Sequence, residues 1–298
     1  MLQLSALHRR AIETLDVAAA GDLEREADRR IAALRTRRRE LARTPWERFG
    51  AWLDQHVRTD AVESLDRPDH PERRKLQQVR WLHVQNVLLR SSARYVEILR
   101  PSIEAAAHAR RGERVRVLEL ACGSGDLTFA LADELAYRGL PADIVGSDVV
   151  GGYIERASRQ ALARRSPVRF RRLDALRLAS AIEPGEVDVV FLAQSAHHFT
   201  PGQLARMMAE ALAAGCRHFV VIDGHRSLRL LAALTALGAL TLDRDFARDG
   251  IISARRFYSE PELRTIAELA CPGARIATET APPLTSVLRV ERVDGSAS

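Results

Sequence analysis

The sequence predicts an α/β protein whose core is a doubly wound, mostly parallel sheet, preceded by an N-terminal helical region. The apolar, β-branched residues 115–120 predict a buried strand. Two glycines, Gly123 and Gly125, follow it, and apolar residues at helical spacing come next. A strand, a glycine turn and a helix in that order form the ligand-binding corner of such a sheet. We therefore divide the chain into a helical region, 1–110, and a sheet domain, 111–298.

Further strands follow with helical patterns between them. Apolar runs that end in polar residues predict four more parallel strands. Two alternating segments on either side of a proline pair predict an antiparallel hairpin that closes the sheet. Seven strands are therefore expected, at residues 115–120, 142–148, 168–173, 186–193, 217–223, 274–280 and 286–292.

The first 110 residues are predicted to be helical and separate from the sheet. Apolar residues at helical spacing predict helices near residues 4–18, over 22–42 and over 74–99. Pro101 is expected to end or bend the last of these. Asn86 interrupts the apolar face of that helix, so it either meets a substrate or is satisfied by a neighbouring side chain.

Composition narrows the classes of function. The net charge is +6 and the pI about 9.8, but Lys75 is the only lysine. Arginine use of this kind is typical of a GC-rich genome, so nucleic-acid binding is not favoured. No apolar run reaches membrane-spanning length, and the N-terminus has no signal-peptide pattern. The three cysteines form no Cys-x-x-Cys pair, which predicts a reduced, cytoplasmic protein with no metal site.

The glycine turn indicates the charge of its ligand. A dinucleotide-binding turn needs a third glycine, and here that position is Thr128. Glu119 lies just before the turn, where a carboxylate repels a phosphate but suits a cation. S-adenosylmethionine (SAM) carries an ammonium and a sulfonium and has no phosphate. The alternative is a glycine turn that binds nothing.

The segment Glu119-Leu-Ala-Cys-Gly-Ser-Gly125 resembles the first motif of class I SAM-dependent methyltransferases, with Ala121 where glycine is usual. Their sheet is Rossmann-like and seven-stranded. An acid roughly 20 residues after the glycines, here Asp148, belongs at the ribose of the ligand. The resemblance also implies that Asp174 accepts from the adenine amino group. The cofactor-binding residues it implies are Glu119, Ala121, Gly123, Gly125, Asp148, Val149, Asp174, Ala175 and Gln194.

Two of these acids have simpler explanations. Asp148 can serve as the N-cap of the helix that follows it. Asp174 can be an ordinary turn residue.

Polar residues after the fourth and fifth strands are candidates for catalysis. His197 and His198 lie at the carboxyl end of the fourth strand, where such sheets bind ligands, and can accept a proton near neutral pH. The pair also resembles a motif of quinone-biosynthesis methyltransferases, in which the histidines often only shape the cleft. Asp223 and His225 follow the fifth strand and either act on substrate or cap a turn.

A long connection follows the fifth strand and is expected to cover the acceptor pocket. Its end, residues 248–258, resembles bacterial methyltransferases that act on phenolic or quinone-like molecules. The arginines can hold a carboxylate or phenolate there, and the alternative for them is surface salt bridges. The candidate substrate-binding residues are Tyr153, Arg255, Arg256 and Tyr258.

These observations predict a small-molecule methyltransferase that uses SAM and acts on a phenolic or quinone-like hydroxyl. In methyltransferases of this kind an N-terminal helical region lids the cleft or pairs two copies as a homodimer. One alternative is an RNA or protein methyltransferase that docks through its arginine-rich helices. Another is a non-catalytic SAM-binding interaction protein.

Overall fold

The computed structural model describes residues 17–40, 44–45, 48–49, 52, 56–64, 67, 69–227, 231, 236 and 243–293. Its sheet has seven strands in the described residues, in the order β3-β2-β1-β4-β5-β7-β6. Strands β1 to β5 pair in parallel, β7 lies antiparallel beside β5, and β6 lies antiparallel beside β7 at the edge of the sheet. This confirms the predicted fold class. The strands are β1 (Val115–Leu120), β2 (Ala142–Asp148), β3 (Arg169–Arg172), β4 (Val189–Ala193), β5 (His218–Gly224), β6 (Arg275–Ala281) and β7 (Thr285–Glu291).

Helices connect the parallel strands and flank the sheet. None of the described helices combines the length and the apolar character needed to cross a bilayer. The helices are α1 (Val17–Glu40), α2 (Glu72–Leu88), α3 (Ser91–Ala109), α4 (Asp126–Tyr137), α5 (Gly151–Arg164), α6 (Leu178–Ala181), α7 (Pro201–Ala213), α8 (Arg244–Arg256) and α9 (Glu260–Ala270).

The N-terminal helices pack on both faces of the sheet. Ala27 and Ile31 of α1 are fully buried in the core that α7 and α9 form on one face. Val96 and Ile103 of α3 are fully buried in the core of the opposite face. Helix α1 thus packs against α7 and α9, and α3 packs on the sheet itself, so both helices share a core with the sheet domain. An apolar helical stripe is the same whether its partner is a helix or a sheet, so its pattern does not reveal that partner.

The predicted helix over residues 74–99 is two helices. It breaks after Leu89, where Arg90 takes a left-handed conformation with φ 50°. Pro101 neither ends nor interrupts α3, which continues to Ala109. Burial of Leu99 and Ile103 on either side of the proline stabilises the helix against the loss of one backbone hydrogen bond. The predicted helix near residues 4–18 lies almost wholly outside the described residues.

The parallel register brings the candidate site residues to one edge of the sheet. Glu119 pairs with Gly146 and with Phe191, and Ala193 pairs with Ile222. The carboxyl ends of β1, β2, β4 and β5 therefore lie side by side, as ligand binding by this kind of sheet requires.

Candidate active site

The two glycines of the turn after β1 have different roles. Gly123 and Gly125 have φ values of +55° and +79°, a region that glycine adopts without a steric cost. A Cβ at Gly123 would meet no atom within 4 Å, whereas one at Gly125 would lie 2.5 Å from the Phe170 ring. Gly123 therefore borders open space at the sheet edge. At Gly125, by contrast, the Phe170 ring leaves no room for a side chain. Ala121, in the same turn, also has a positive φ of 52°.

The contrast predicts separable effects for two matched substitutions. Gly125→Ala places a methyl group against Phe170 and is expected to lower the unfolding midpoint markedly. Gly123→Ala adds only the left-handed backbone cost of about 1 kcal/mol and puts its methyl where a ligand would lie. We expect it to weaken SAM binding while the protein stays folded. Thermal denaturation and calorimetry on both variants check this, and equal destabilisation by the two would contradict it.

Asp148 joins the ends of β1 and β2. Its carboxylate accepts hydrogen bonds from the backbone N–H of Gly123 and of Val150, each at 2.9 Å. The residue is 8% exposed. The N-cap of α5 is Val150 rather than Asp148, so capping does not account for the bond to Gly123. The neighbouring Val149 is 55% exposed and offers an apolar surface beside this carboxylate.

Glu119 is a buried carboxylate with an unsatisfied oxygen. It is 2% exposed, and its Oε2 atom has no hydrogen-bond partner among the described residues. Burial raises the pKa of Glu119 to about 7, and the nearby Asp148 charge adds to the shift. An unpaired buried carboxylate is costly unless a cation or a donor meets it. The residue therefore fits the cationic methionine end of SAM.

Asp174 caps a short 3₁₀ turn, Ala175–Arg177, after β3. Its side chain accepts from the Leu176 N–H at 2.9 Å, which is the turn role given above as the alternative. The Asp174 side chain is 46% exposed. Tyr153 lies in the first turn of α5 and is partly buried.

Gln194 fixes helix α2 over the end of β4. Its side-chain amide exchanges two hydrogen bonds with that of Asn86, at 2.8 and 3.1 Å. Asn86 is thus satisfied by a neighbouring side chain, the second of the two interpretations above. Gln194 has φ 57°, and its backbone N–H donates to Ile222 O at 2.8 Å.

Both ring nitrogens of His197 face carboxylates. Its Nδ1 lies 2.8 Å from Asp223 Oδ2, and its Nε2 lies 3.3 Å from Glu63 Oε1. Burial of the ring disfavours its charged form, but Asp223 and Glu63 together raise the pKa of His197 to about 10. His198 is more exposed, and its Nε2 lies 3.9 Å from Glu63 Oε2. The arrangement favours the cleft-shaping role of the pair over proton abstraction by His197.

Asp223 and His225 are also engaged within the protein. Asp223 accepts from the His197 backbone N–H at 2.9 Å and from its own neighbour Gly224 N–H at 2.8 Å. His225 Nδ1 lies 3.0 Å from the Ser286 hydroxyl. These contacts favour the turn-forming alternative for both residues.

Three of the four predicted substrate-binding side chains donate to backbone carbonyls. Arg255 Nε donates to Val57 O at 2.6 Å. Arg256 donates to His198 O at 3.0 Å, and the Tyr258 hydroxyl donates to Phe199 O at 2.6 Å. The two arginine bonds therefore differ from the surface salt bridges that were given as the alternative for these arginines. Most of the connection that precedes α8, residues 228–242, lies outside the described residues.

A polar segment that the sequence did not single out crosses this side of the site. We call residues 56–64 the strap. Two contacts described above hold it, those of Val57 O with Arg255 and of Glu63 with His197. In addition, Ser253 Oγ donates to Glu63 at 2.6 Å, and the Ser64 N–H donates to Asp249 at 2.9 Å. Glu63 is only 6% exposed. It has no motif around it, so no pattern in the sequence distinguishes it from the surface acids.

Comparison with known proteins agrees with this geometry. The family described as "Methyltransferase domain" matches residues 117–215. A demethylmenaquinone methyltransferase of Deinococcus radiodurans is 44% identical over 75 residues, which are 25% of this chain and 28% of that protein. The match thus spans about a quarter of this relative.

One solved structure shares this fold with a TM-score above 0.5. The plantazolicin methyltransferase BamL aligns with a TM-score of 0.53 and 15% identity, over 71% of this chain and 73% of that one. A SAM-dependent methyltransferase from Aquifex aeolicus aligns with a TM-score of 0.45 and 17% identity, over 61% and 84% of the two chains. Residues 117–215 therefore match a methyltransferase domain.

Proposed function

We propose that this protein transfers a methyl group from SAM to a small molecule that carries a phenolic or quinone-like hydroxyl. The observation that supports it most is the unpaired, buried oxygen of Glu119 beside the open space at Gly123. A carboxylate at this position favours a cationic ligand over a phosphate-bearing one.

Each end of the cofactor has a candidate partner. Glu119 would meet the methionine ammonium, and the backbone at Gly123 would pass beside the ligand. Asp148 keeps carboxylate lone pairs in addition to its two backbone bonds, and these would accept from the ribose hydroxyls. The resemblance to SAM-dependent methyltransferases assigns the adenine to Asp174 and Ala175. When bound, SAM supplies the electrophilic methyl group.

Two elements held at the carboxyl edge of the sheet favour a small acceptor over a macromolecule. Helix α2 is held at the end of β4 through Asn86, and the strap is held there through the contact of Glu63 with His197. The protein's contribution is then to align an acceptor oxygen with the methyl group and to exclude water. A phenol has a pKa near 10, so a weak base helps its reaction. The relative named above as a demethylmenaquinone methyltransferase supports a quinone-like acceptor.

The rival proposal, docking of RNA through the arginines, has less support. Arg35 and Arg58 pair with the buried Glu262, and Arg255 and Arg256 donate to backbone carbonyls. These four arginine side chains therefore already contact groups within the protein. Salt-dependent RNA binding would favour the rival nevertheless.

Calorimetry with SAM, followed by a methyl-transfer screen on phenols, quinols and carboxylic acids, tests the proposal. We expect 1:1 binding of SAM and turnover of at least one hydroxylated aromatic compound. Binding with no turnover on any acceptor would favour the non-catalytic alternative. Tighter binding of a nicotinamide dinucleotide would overturn the proposal. Pairing of two copies through the N-terminal helices remains a prediction, which the mass in solution checks.

The pKa of Glu119 predicts how SAM binding depends on pH. A cation binds the ionised carboxylate, so binding should lower the pKa of Glu119 from its unliganded value of about 7 and release a proton. We expect the affinity to rise with pH up to about 7 and then to level off. Calorimetry in buffers of different ionisation enthalpy measures the proton release. Glu119→Gln should remove that part of the pH dependence, and an unchanged profile in this variant would contradict the assignment.

A further inference from the structure

Three potential metal ligands meet where the strap crosses the end of β4. A carboxylate oxygen of Glu63, a ring nitrogen of His197 and a ring nitrogen of His198 all lie within 4.8 Å of one another. Glu63 and His197 are each 6% exposed. The His198 side chain is 25% exposed and gives the cluster access to solvent.

The distance between Glu63 and His197 suits coordination better than hydrogen bonding, whereas the His198 ring has to move closer to reach the same ion. Glu63 Oε1 lies 3.3 Å from His197 Nε2, and Glu63 Oε2 lies 3.9 Å from His198 Nε2. A charge-assisted hydrogen bond is shorter, about 2.7 to 2.9 Å. Around an ion with bonds of about 2.1 Å, neighbouring donor atoms lie about 3.0 to 3.4 Å apart.

The surroundings orient these groups as metal ligands. Asp223 accepts from Nδ1–H of His197 at 2.8 Å, so a neutral ring turns the lone pair of Nε2 toward Glu63. A lone pair that faces a carboxylate needs a cation between them, either a proton or a metal ion. Carboxylate–histidine pairs of this kind support metal sites in proteins. Ser253 donates to Glu63 at 2.6 Å and fixes that ligand as well.

We propose that Glu63, His197 and His198 bind one divalent transition-metal ion that fastens the strap to the end of β4. Two imidazoles and one carboxylate form a ligand set used for Zn²⁺ and Fe²⁺, with positions left open for other ligands. A dication balances the charges of Glu63 and Asp223 when both imidazoles are neutral. The sequence pointed to no metal site because its cysteines are scattered and Glu63 is distant from the histidines along the chain.

The test uses the full chain without a purification tag, after treatment with a chelator to remove bound metal. One sample is then titrated with Co²⁺ and another with Zn²⁺. We expect one ion per chain, with Co²⁺ absorbance typical of nitrogen and oxygen ligands. Both Glu63→Gln and His198→Ala should weaken binding more than roughly tenfold. His198 is partly exposed, so its variant avoids the folding loss that a change at His197 risks.

Two control variants separate loss of a ligand from other changes. His56→Ala removes a histidine of the strap that lies outside the cluster. Asp249→Asn weakens the anchor of Ser64 without removing a ligand. Both should bind within roughly threefold of wild type. No stoichiometric binding of either ion, wild-type affinity in both ligand variants, or a Co²⁺ thiolate band would overturn the proposal. These readouts require no methyl transfer, so the failure of one proposal is distinguishable from the failure of the other.

Discussion

Asp148→Ala is expected to weaken SAM binding at least roughly tenfold, or about 1.4 kcal/mol. The carboxylate has two tasks at this edge of the sheet. It would accept from the ribose, and it accepts from the backbone N–H of Gly123 and of Val150. Loss of the Asp148 carboxylate removes a hydrogen-bond acceptor for the ribose. It also removes the acceptor that holds the Gly123 turn beside the ligand.

Calorimetry measures this effect, and two further variants interpret it. Asp148→Asn keeps the shape but turns an amide toward one of the two backbone donors, so a similar loss is expected. Asp143→Ala removes an acid from the opposite end of the same strand, where it pairs on the surface with Arg114, and should leave the affinity unchanged. Unchanged affinity in both Asp148 variants would remove this residue from the cofactor site.

The sheet could be predicted from the sequence because its signals are local. Residues 142–148 form β2 as predicted, and residues 115–120 form β1. Buried parallel strands consist of continuous apolar runs, and turns and helices separate them in fixed order. The placement of α1 and α3 on the sheet could not be predicted, because it depends on contacts between distant parts of the chain.

The candidate site also has a part with a local sequence signal and a part that depends on contacts between distant residues. The Glu119–Gly125 turn is one short segment, so its residues carry a recognisable pattern. The polar side chains on the other side are visible in the sequence as candidates, but their partners could not be predicted. His197 meets Glu63, and Arg255 meets the carbonyl of Val57. Both partners lie in the strap, whose sequence has neither apolar periodicity nor a motif.

Glu262→Gln is expected to destabilise the protein by about 3 kcal/mol at neutral pH. Glu262 is 2% exposed. Its Oε1 accepts from Arg35 of α1 at 2.6 Å and from Arg58 of the strap at 2.7 Å. Its Oε2 accepts from the Ser259 N–H at 2.8 Å and completes the cap of α9. Glutamine can keep the cap but not the charge, so the variant leaves two arginines without their common counter-ion.

The pKa of Glu262 gives this prediction a pH signature. Burial alone would raise the pKa, but Arg58 and Arg35 lower it from 4.5 to about 2. A carboxylate whose pKa is lower in the folded state stabilises the fold above its unfolded pKa, and that stability is lost as the pH falls. The difference in unfolding free energy between wild type and variant should therefore be largest above pH 4.5 and shrink as the pH falls toward 2. Urea denaturation across this range measures it.

Glu291→Gln, in an exposed pair with Arg275, should change stability by less than about 0.5 kcal/mol. A difference for Glu262→Gln that does not vary with pH would mean that packing, rather than charge, ties α1 and the strap to α9.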